Sequence, residues 1–288
     1  MWNPMLWLLV VVFFLLPVFF YLIFWYEAAN SVYKTTLYRR SNGKPQLWLL
    51  RGLLSNISTN VAVICLFPFG FVRRMWFPDP GSAKGGPAVV LVHGVYHNPG
   101  AWVYYRWRLK RKGYGRIYAF RYGSWKTGFW DIYQKLETWM KRVEKDSAGE
   151  EIVLVGHSLG GLLAKTYAGG RGGRGETVSS AIRRVITLGT PFKGSKMAVL
   201  GFGRLSKSLQ YQGSLVKELE QYNPSTTLPC VALYSPVDNI VLPTESLLPP
   251  PGWKKEETAP LCHTAGLYHR GTFNRVLSYL EEGGSKNG

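Results

Sequence analysis

The sequence predicts an α/β fold, in which helices cover both faces of a mostly parallel central sheet, preceded by an N-terminal hydrophobic helical region. Two patterns predict this class. From about residue 84 onward, short apolar runs bounded by glycine, proline or charge alternate with helical stretches, which is typical of parallel strands joined by helices. Ahead of them lie two long apolar stretches. We therefore divide the chain into an N-terminal membrane-anchor region, residues 1–83, and one α/β domain, residues 84–288.

The first apolar stretch predicts a transmembrane helix at residues 5–26. These residues carry no charge, and at 1.5 Å per residue they are long enough to cross about 30 Å of hydrocarbon. No basic residue precedes them, and Trp25, Tyr26 and Glu27 stand where a cleaved signal peptide would end in small residues. We therefore expect a retained membrane anchor.

The second apolar stretch, residues 53–72, leaves the topology open. Serine, threonine and asparagine interrupt its first half, and Pro68 and Gly70 interrupt its second half. It is compatible with a second span, with a segment in the membrane interface, or with a cap on the α/β domain. The basic loop between the two stretches should stay cytoplasmic if the first helix spans. A second span would then place the α/β domain outside the cytoplasm, and either alternative would keep it inside.

Composition and charge limit the classes of partner. The chain is 46% hydrophobic and 15% aromatic, which excludes a disordered protein and suggests that apolar surface meets a membrane. The formal net charge of +18 favours anionic lipid or nucleic acid, and the apolar stretches favour lipid, so no nucleic-acid partner is expected. The cysteines, Cys65, Cys230 and Cys262, follow no metal-ligand spacing. We predict free thiols and no metal, and make no prediction of oligomeric state.

Six strands and two principal helices are predicted in the α/β domain. The strands are expected at residues 88–92, 117–120, 151–155, 184–188, 230–234 and, last, 259–262. Apolar residues recur at helical spacing over residues 130–145, and a closing helix is expected at residues 273–280. Cys230 would then begin one strand and Cys262 would end its neighbour, too far apart for a disulfide.

The motif Gly-His-Ser-Leu-Gly at residues 156–160 supplies a candidate nucleophile, Ser158. It follows a predicted strand and precedes a predicted helix, which is the context that a nucleophile at a sharp strand-to-helix turn requires. Gly156 and Gly160 let strand and helix approach each other while the serine side chain projects outward. The alternative is an ordinary glycine-rich turn.

A serine nucleophile needs a base, and the base needs an acid, in the order serine, acid, histidine for this arrangement. Asp238 follows the strand at residues 230–234 and is the candidate acid, with a solvated turn residue as the alternative. Two histidines, His263 and His269, compete for the role of base. His263 lies at the junction of the predicted last strand and closing helix, so we favour it, and we expect His269 to pack or cap that helix.

The sequence His93-Gly94 at the end of the first predicted strand indicates where a developing oxyanion would bind. The backbone N–H groups of Val95 and of Leu159, which follows the nucleophile, are the expected donors. The side chain of His93 is expected to hold the loop.

These segments resemble bacterial lipases and esterases of the α/β-hydrolase superfamily, particularly small triacylglycerol lipases. The resemblance spans residues 87–282. It is carried by the motifs LVHG at 91–94, GHSLGG at 156–161, TLGTPFKGS at 187–195, YSPVDNIV at 234–241 and HTAGLY at 263–268. A histidine opening a His-x-x-x-Leu-Tyr segment is catalytic in these relatives, which supports His263. Phe192 departs from many relatives, which have histidine after Thr-Pro. Secretion by a signal peptide is not carried over, so the resemblance and the predicted anchor together imply a bacterial inner-membrane protein.

The resemblance implies that the chain hydrolyses lipids or other acyl esters. Ser158, His263 and Asp238 would carry out the reaction without a cofactor. A transacylase or amidase would use the same triad. A non-catalytic membrane-bound protein on this fold would be expected to lose triad members, and this sequence retains them.

Two further segments bear on the substrate. Residues 194–228 form an insertion with apolar residues at helical intervals, compatible with a lid, an acyl-chain wall or a helix packed on the sheet. Residues 104–125 interleave basic and aromatic side chains, which suits lipid headgroups or a solvated helix face and, less well, nucleic acid. Neither acyl-chain length nor headgroup follows from the sequence.

Overall fold

A six-stranded parallel sheet organises the chain. The structure is a computed structural model that describes residues 7–8, 11–78, 86–147, 149–170 and 181–282. The strands lie in the order β2-β1-β3-β4-β5-β6, and every neighbouring pair is parallel. Their bounds are Ala88–Val92 (β1), Ile117–Phe120 (β2), Ile152–His157 (β3), Ile182–Leu188 (β4), Cys230–Tyr234 (β5) and Lys254–Glu257 (β6). The predicted α/β class is confirmed.

Helices connect most of the consecutive strands, as a parallel sheet requires, and further helices precede the sheet. Three of them, with a short fourth, precede the sheet: Leu16–Ala29 (α1), Tyr33–Arg40 (α2), Pro45–Leu66 (α3) and Arg73–Trp76 (α4). The remaining α-helices are Val103–Arg111 (α5), Phe129–Asp146 (α6), Leu159–Gly169 (α7), Gly203–Ser208 (α8), Ser214–Leu219 (α9) and Arg270–Glu281 (α10). Short 3₁₀ turns occupy Phe67–Phe71, Pro99–Trp102, Lys196–Leu200, Thr244–Leu247 and Ala265–Leu267.

Strand β1 shows why the sheet is buried on both faces. All its side chains are apolar and fully buried, and in a strand successive side chains point to opposite faces. Val90 packs in one core cluster with Ile132 of α6 and Leu163 of α7. Leu91 packs in the other with residues of α5 and α10. The strand ends that carry the candidate site are therefore held between two hydrophobic layers.

One predicted element is wrong. Residues 259–262 do not form the last strand. The last strand is Lys254–Glu257, whose charged side chains lie at the sheet edge beside β5. An edge strand with partly exposed side chains carries no apolar signal, so the sequence pattern could not mark it. The apolar segment that does follow is buried against the N-terminal helices instead, where Leu261 and Cys262 pack in one cluster with Phe24.

The cysteines are free thiols, as predicted. The reason given for Cys262 changes, because this residue lies in a loop rather than at a strand end.

The N-terminal helices differ from the predicted pair of apolar segments in bounds and bend. Within the described residues, Pro45–Phe71 is the one helix that is long and apolar enough to cross a bilayer. Phe13–Ala29 passes that test only together with Tyr33–Arg40, from which it is bent by 108°. Part of the predicted span at residues 5–26 lies outside the described residues, as does the predicted boundary at residues 83 and 84.

These helices pack against the α/β domain. Helix α1 buries Tyr21, Phe24 and Ala28 in the cluster that contains Val237 and Cys262. Helix α3 packs against α1 and against two 3₁₀ turns of the α/β domain, Pro99–Trp102 and Ala265–Leu267. The opposite faces of both helices expose large apolar side chains, among them Phe19, Leu22, Leu47, Leu50, Leu54 and Ile64.

Candidate active site

Ser158 lies at the turn between β3 and α7. Its backbone has φ 55° and ψ −124°, a conformation that side-chain-bearing residues seldom adopt and that persists only where the surroundings enforce it. A hydrogen bond from its N–H to the carbonyl oxygen of Leu188, at 2.9 Å, helps to hold the turn. The sharp turn directs the serine side chain away from both elements, and Ser158 lines a pocket.

Gly160 is needed for this turn. A Cβ atom at this position would contact the carbonyl oxygen of Val92 and would lie 2.6 Å from that of His93, both in the backbone at the end of β1. Helix α7 can therefore begin directly against β1 only because this residue has no side chain.

Asp238 and His263 form a buried pair in two loops at the carboxyl end of the sheet. The Nδ1 atom of His263 lies 2.8 Å from Oδ2 of Asp238, and the two residues are 9% and 2% exposed. The other carboxylate oxygen accepts hydrogen bonds from the N–H groups of Ile240 at 3.0 Å and Val241 at 2.9 Å. These bonds fix the carboxylate where it can hold the imidazole in one orientation and tautomer.

The loop that carries His263 is held by further polar contacts. Its backbone N–H donates to Oδ1 of the buried Asn239 at 3.1 Å. Gly189, at φ 55°, approaches the pair so closely that a Cβ atom there would lie 3.2 Å from both Oδ2 of Asp238 and Nδ1 of His263. The pair is thus enclosed by the ends of β4 and β5.

His269, the competing histidine, caps the last helix. Its Nδ1 atom accepts a hydrogen bond from the backbone N–H of Thr272 at 3.1 Å, at the start of α10. This contact satisfies one of the N–H groups that a helix leaves free at its first turn. Unlike His263, His269 does not line the pocket of Ser158.

The two expected oxyanion donors lie close to Ser158 in the chain or in the pocket wall. Leu159 is the first residue of α7, so its N–H is one of those without an intrahelical acceptor. Val95 lines the pocket of Ser158. Gly94, which precedes it, is so near that a Cβ atom there would lie 3.0 Å from Cβ of Ser158.

His93, at the end of β1, has the structural position that the sequence predicts. Its ring stacks on Tyr122 with centroids 4.1 Å apart. Nδ1 lies 2.9 Å from the carbonyl oxygen of Gly94, and the hydroxyl of Tyr122 donates to the carbonyl oxygen of His93 at 2.5 Å. Burial lowers the pKa of His93 to about 3, so its ring is neutral at physiological pH.

His157, which the sequence reasoning did not single out, supports the histidine of the buried pair. Its ring lies 4.8 Å from that of His263, and its Nε2 atom is 3.1 Å from the backbone carbonyl oxygen of His263. Burial, followed by repulsion from His263, lowers the pKa of His157. The neutral ring donates one hydrogen bond to that carbonyl. The position of His157 next to Ser158 in the Gly-His-Ser-Leu-Gly motif is the sequence feature that could have indicated this role.

The pocket of Ser158 is apolar and has a volume of about 480 Å³. Ser158 and His263 lie in its wall together with Val95. The insertion at residues 194–228 contributes Met197, Ala198, Leu200, Phe202, Ser206 and Leu209. Leu215 and Leu219 of the same insertion pack in the core instead. One part of the insertion therefore packs in the core, as one of the alternatives predicts, and another part lines the pocket of Ser158.

The N-terminal region reaches the same site. The sequence left a cap on the α/β domain open for residues 53–72, but no pattern indicated contact of α1 with the site. Phe20 of α1 lines the pocket of Ser158. The hydroxyl of Tyr21 donates to the carbonyl oxygen of Val237 at 3.1 Å, one residue before Asp238. Ser55 of α3 contacts the backbone one residue before His263. Two N-terminal helices thus touch the loops of the buried acid and histidine.

Comparisons with known proteins agree with this fold. Residues 89–277 match the family model described as the alpha/beta hydrolase family. The mature lipase BlEst2 of Bacillus licheniformis superposes with a TM-score of 0.57 at 20% identity, over 71% of this chain and 95% of that lipase. Its propeptide form gives 0.55 at 21% identity, over 71% and 52%. The lin2722 product of Listeria innocua gives 0.51 at 15% identity, over 69% and 95%. A comparison with curated protein sequences returned no match.

Proposed function

Because this chain belongs to the alpha/beta hydrolase family, we propose that it is a membrane-anchored serine hydrolase that cleaves carboxylic acyl esters of lipids. One observation carries the proposal. The buried pair of Asp238 and His263, joined at 2.8 Å, lies in the loops around a pocket that also contains Ser158 at a strained strand-to-helix turn. Nucleophile, base and acid thus come from three separate segments that the sheet brings together.

The proposed reaction begins when the hydroxyl of Ser158 attacks the ester carbonyl and His263 takes its proton. Asp238 stabilises the imidazolium that forms. The N–H groups of Val95 and Leu159 donate to the oxygen of the tetrahedral intermediate, and one such donor contributes about 3 kcal/mol. The acyl–oxygen bond then breaks, and the alcohol leaves with the proton from His263.

Water completes the cycle. His263 takes a proton from a water molecule, whose oxygen attacks the acyl-serine and releases the carboxylic acid. The proton returns to Ser158. The balance is one ester and one water consumed, one acid and one alcohol released.

The lining of the pocket supports an acyl chain as the part of the substrate that it receives. Apolar side chains from the insertion and from α1 surround Ser158, and about 480 Å³ is in the range of pockets that enclose small organic ligands. Phe202, Val199 and Leu200 also leave apolar surface exposed. Exposed apolar surface of this kind is typical of a contact with lipid.

The N-terminal helices support contact with the membrane through α3, which lies along the α/β domain. The N–H of Cys262 donates to Ser55 at the middle of α3, and Asn98 donates to the carbonyl oxygen of Phe67 just beyond the end of α3, at 3.0 Å. At 1.5 Å per residue, these contacts are about 18 Å apart along the helix. Since the opposite face exposes leucine and isoleucine, we propose that α3 lies in the membrane interface with this face toward the lipid.

A fluorophosphonate probe tests the nucleophile, since it reacts with activated serines. We expect the wild-type protein in detergent to be labelled and Ser158→Ala to remain unlabelled. Ser206→Ala is the matched control, because Ser206 lines the same pocket but has no histidine–acid partner in the proposal. Equal labelling of the wild type and Ser158→Ala would overturn the assignment. An unlabelled wild type that also hydrolyses no p-nitrophenyl ester would overturn the enzyme proposal itself.

A further inference from the structure

A second cavity lies beside the catalytic pocket and shares part of its wall. Its volume is about 840 Å³. Tyr96, His97 and Trp125 line both this cavity and the pocket of Ser158. The rest of the lining comes from the turn after α3, from α4, from Asn98 and Pro99, from the end of β2 and from α6. A ligand with two parts could therefore occupy both cavities at once, with its middle at the shared wall.

Basic side chains surround this second cavity. Arg73, Arg121, Lys135 and Arg142 line it, and its described lining contains no aspartate or glutamate. In the described part of the chain, none of the four has a carboxylate oxygen within 4.0 Å. Four cations around one cavity repel each other, and an anion inside it would remove that cost.

Asp131 is an acidic side chain whose negative charge could offset that of these cations. It lines a neighbouring cavity together with Lys135 and Arg142. Its Oδ2 atom, however, accepts a hydrogen bond from the N–H of Gly128 at 2.8 Å, as part of the cap of α6. One carboxylate therefore leaves the net charge around the second cavity positive, and we call it the basic cavity.

Two of the arginines are held by aromatic rings. The guanidinium carbon of Arg121 lies 4.8 Å from the centroid of Phe71, and that of Arg142 lies 5.4 Å from the centroid of Phe77. Stacking of this kind orients a guanidinium and leaves the N–H groups at its edge free to donate. The edge of a guanidinium matches two oxygens of a phosphate group.

The surroundings place this charge next to a lipid-facing surface. Phe67, Phe69 and Phe71, in the turn after α3, expose a large part of their side chains, and Arg73 follows within two residues. Apolar surface thus changes to basic surface over a few residues. The same change, from acyl chain to phosphate, occurs along a phospholipid molecule at the membrane surface.

We infer that the basic cavity binds the phosphate of a glycerophospholipid whose ester-linked acyl chain enters the pocket of Ser158. This inference rests on the proposed function and names its substrate class. The glycerol ester lies at the shared wall, where Ser158 can attack its carbonyl. Hydrolysis breaks the acyl–oxygen bond, releases a fatty acid and leaves a lysophospholipid with its phosphodiester intact.

The test compares two substrates in non-ionic detergent micelles, phosphatidylglycerol and the diacylglycerol with the same acyl chains. The variant is Arg121→Gln with Arg142→Gln in the full chain. The measured quantity is the ratio of kcat/KM for phosphatidylglycerol to kcat/KM for diacylglycerol. We expect this ratio to fall at least ten-fold, because charge-assisted bonds to the phosphate are lost.

The matched control is Lys110→Gln with Lys141→Gln, which removes the same charge from exposed positions that line neither cavity. We expect it to keep the wild-type ratio. An equal fall in the control would mean that general surface charge attracts anionic micelles, and would overturn the inference. An unchanged ratio in the arginine variant would overturn it too.

Added inorganic phosphate distinguishes a cavity that binds a lipid headgroup from one that binds free phosphate. If the inference is right, added phosphate raises the KM for phosphatidylglycerol more than that for diacylglycerol. Phosphate that slows diacylglycerol hydrolysis in the wild type but not in the arginine variant, with the substrate ratio unchanged, would assign the cavity to free phosphate instead. A wild type inactive on both lipids would instead refute the proposed function, since diacylglycerol needs no contact with the basic cavity.

Discussion

The hydroxyl oxygen of Ser55 accepts a hydrogen bond from the backbone N–H of Cys262 at 2.8 Å. Cys262 directly precedes His263, the proposed base. A helix of the N-terminal region thus fixes the backbone beside the site, from 207 residues earlier in the sequence.

We therefore expect Ser55→Ala to lower kcat about ten-fold with little change in KM. The substitution leaves the N–H of Cys262 without its acceptor, and an unsatisfied buried N–H costs about 1 to 3 kcal/mol. Relaxation of the loop to recover a partner would displace His263. Steady-state kinetics on a soluble p-nitrophenyl ester measure the effect. Ser58→Ala is the control on the same helix, since the Ser58 hydroxyl donates only to the carbonyl oxygen of Ser55; the same loss there would argue against a positioning role.

Substitutions of the two histidines of the last loop should have clearly different effects on activity. We expect His263→Ala to lower turnover of a p-nitrophenyl ester by about a thousand-fold or more, because the general base is lost. His269→Ala should retain most of the activity and lose about 1 kcal/mol of stability, because it removes the cap of α10. Turnover and thermal unfolding of both variants measure this. A loss of activity confined to His269→Ala would place the base at that residue.

Filling the apolar pocket should discriminate against long acyl chains. Ala198 lines the pocket, so we expect Ala198→Trp to lower kcat/KM for p-nitrophenyl palmitate at least ten-fold more than for p-nitrophenyl acetate. Val199→Trp is the neighbouring control, because Val199 is exposed and outside the pocket lining. An equal effect of Ala198→Trp on both esters would place the acyl chain elsewhere.

The buried histidines should make the fold sensitive to mild acid. Burial lowers the pKa of His93 to about 3 and also lowers that of His157. In the unfolded chain these rings take up protons below about pH 6.5, whereas the folded protein keeps them neutral. The free energy of unfolding should therefore fall as the pH drops from about 7 to about 5, by up to about 1.4 kcal/mol per pH unit for each histidine.

Unfolding by urea in detergent at several pH values measures this slope. The variant His93→Asn, which removes one of these titrating rings, should reduce the slope by about one proton. A slope that is the same in both proteins would show that His93 is protonated equally in the folded and unfolded states.

The sequence predicts those elements whose signal is local. Strands such as Ala88–Val92 are apolar because both of their faces are buried, and Ser158 was visible because a sharp turn needs glycine on both sides. Lys254–Glu257 was missed because an edge strand tolerates charged side chains. The apolar character of residues 259–262 reflects packing against α1 rather than a place in the sheet.

Contacts between distant segments leave no such local signal. In the sequence, Phe20 is an ordinary member of one apolar stretch and Ser55 is one of several polar residues that interrupt the other. Only the fold brings them to the loops of Asp238 and His263. The four basic residues of the second cavity are likewise spread over residues 73–142. Their common place around one cavity becomes apparent only when α4, the end of β2 and α6 are seen side by side.

The bond between Ser55 and Cys262 also has a consequence for biosynthesis. A ribosome makes α1 and α3 first, and their partners in the Cys262 loop emerge only after most of the α/β domain has been synthesised. Contacts between such distant segments close late, because the intervening chain must be ordered first. Under the proposed function, the nascent protein can therefore settle on lipid through its first helices while its hydrolytic site is still unassembled, so that ester cleavage begins only after the chain is in place on the membrane.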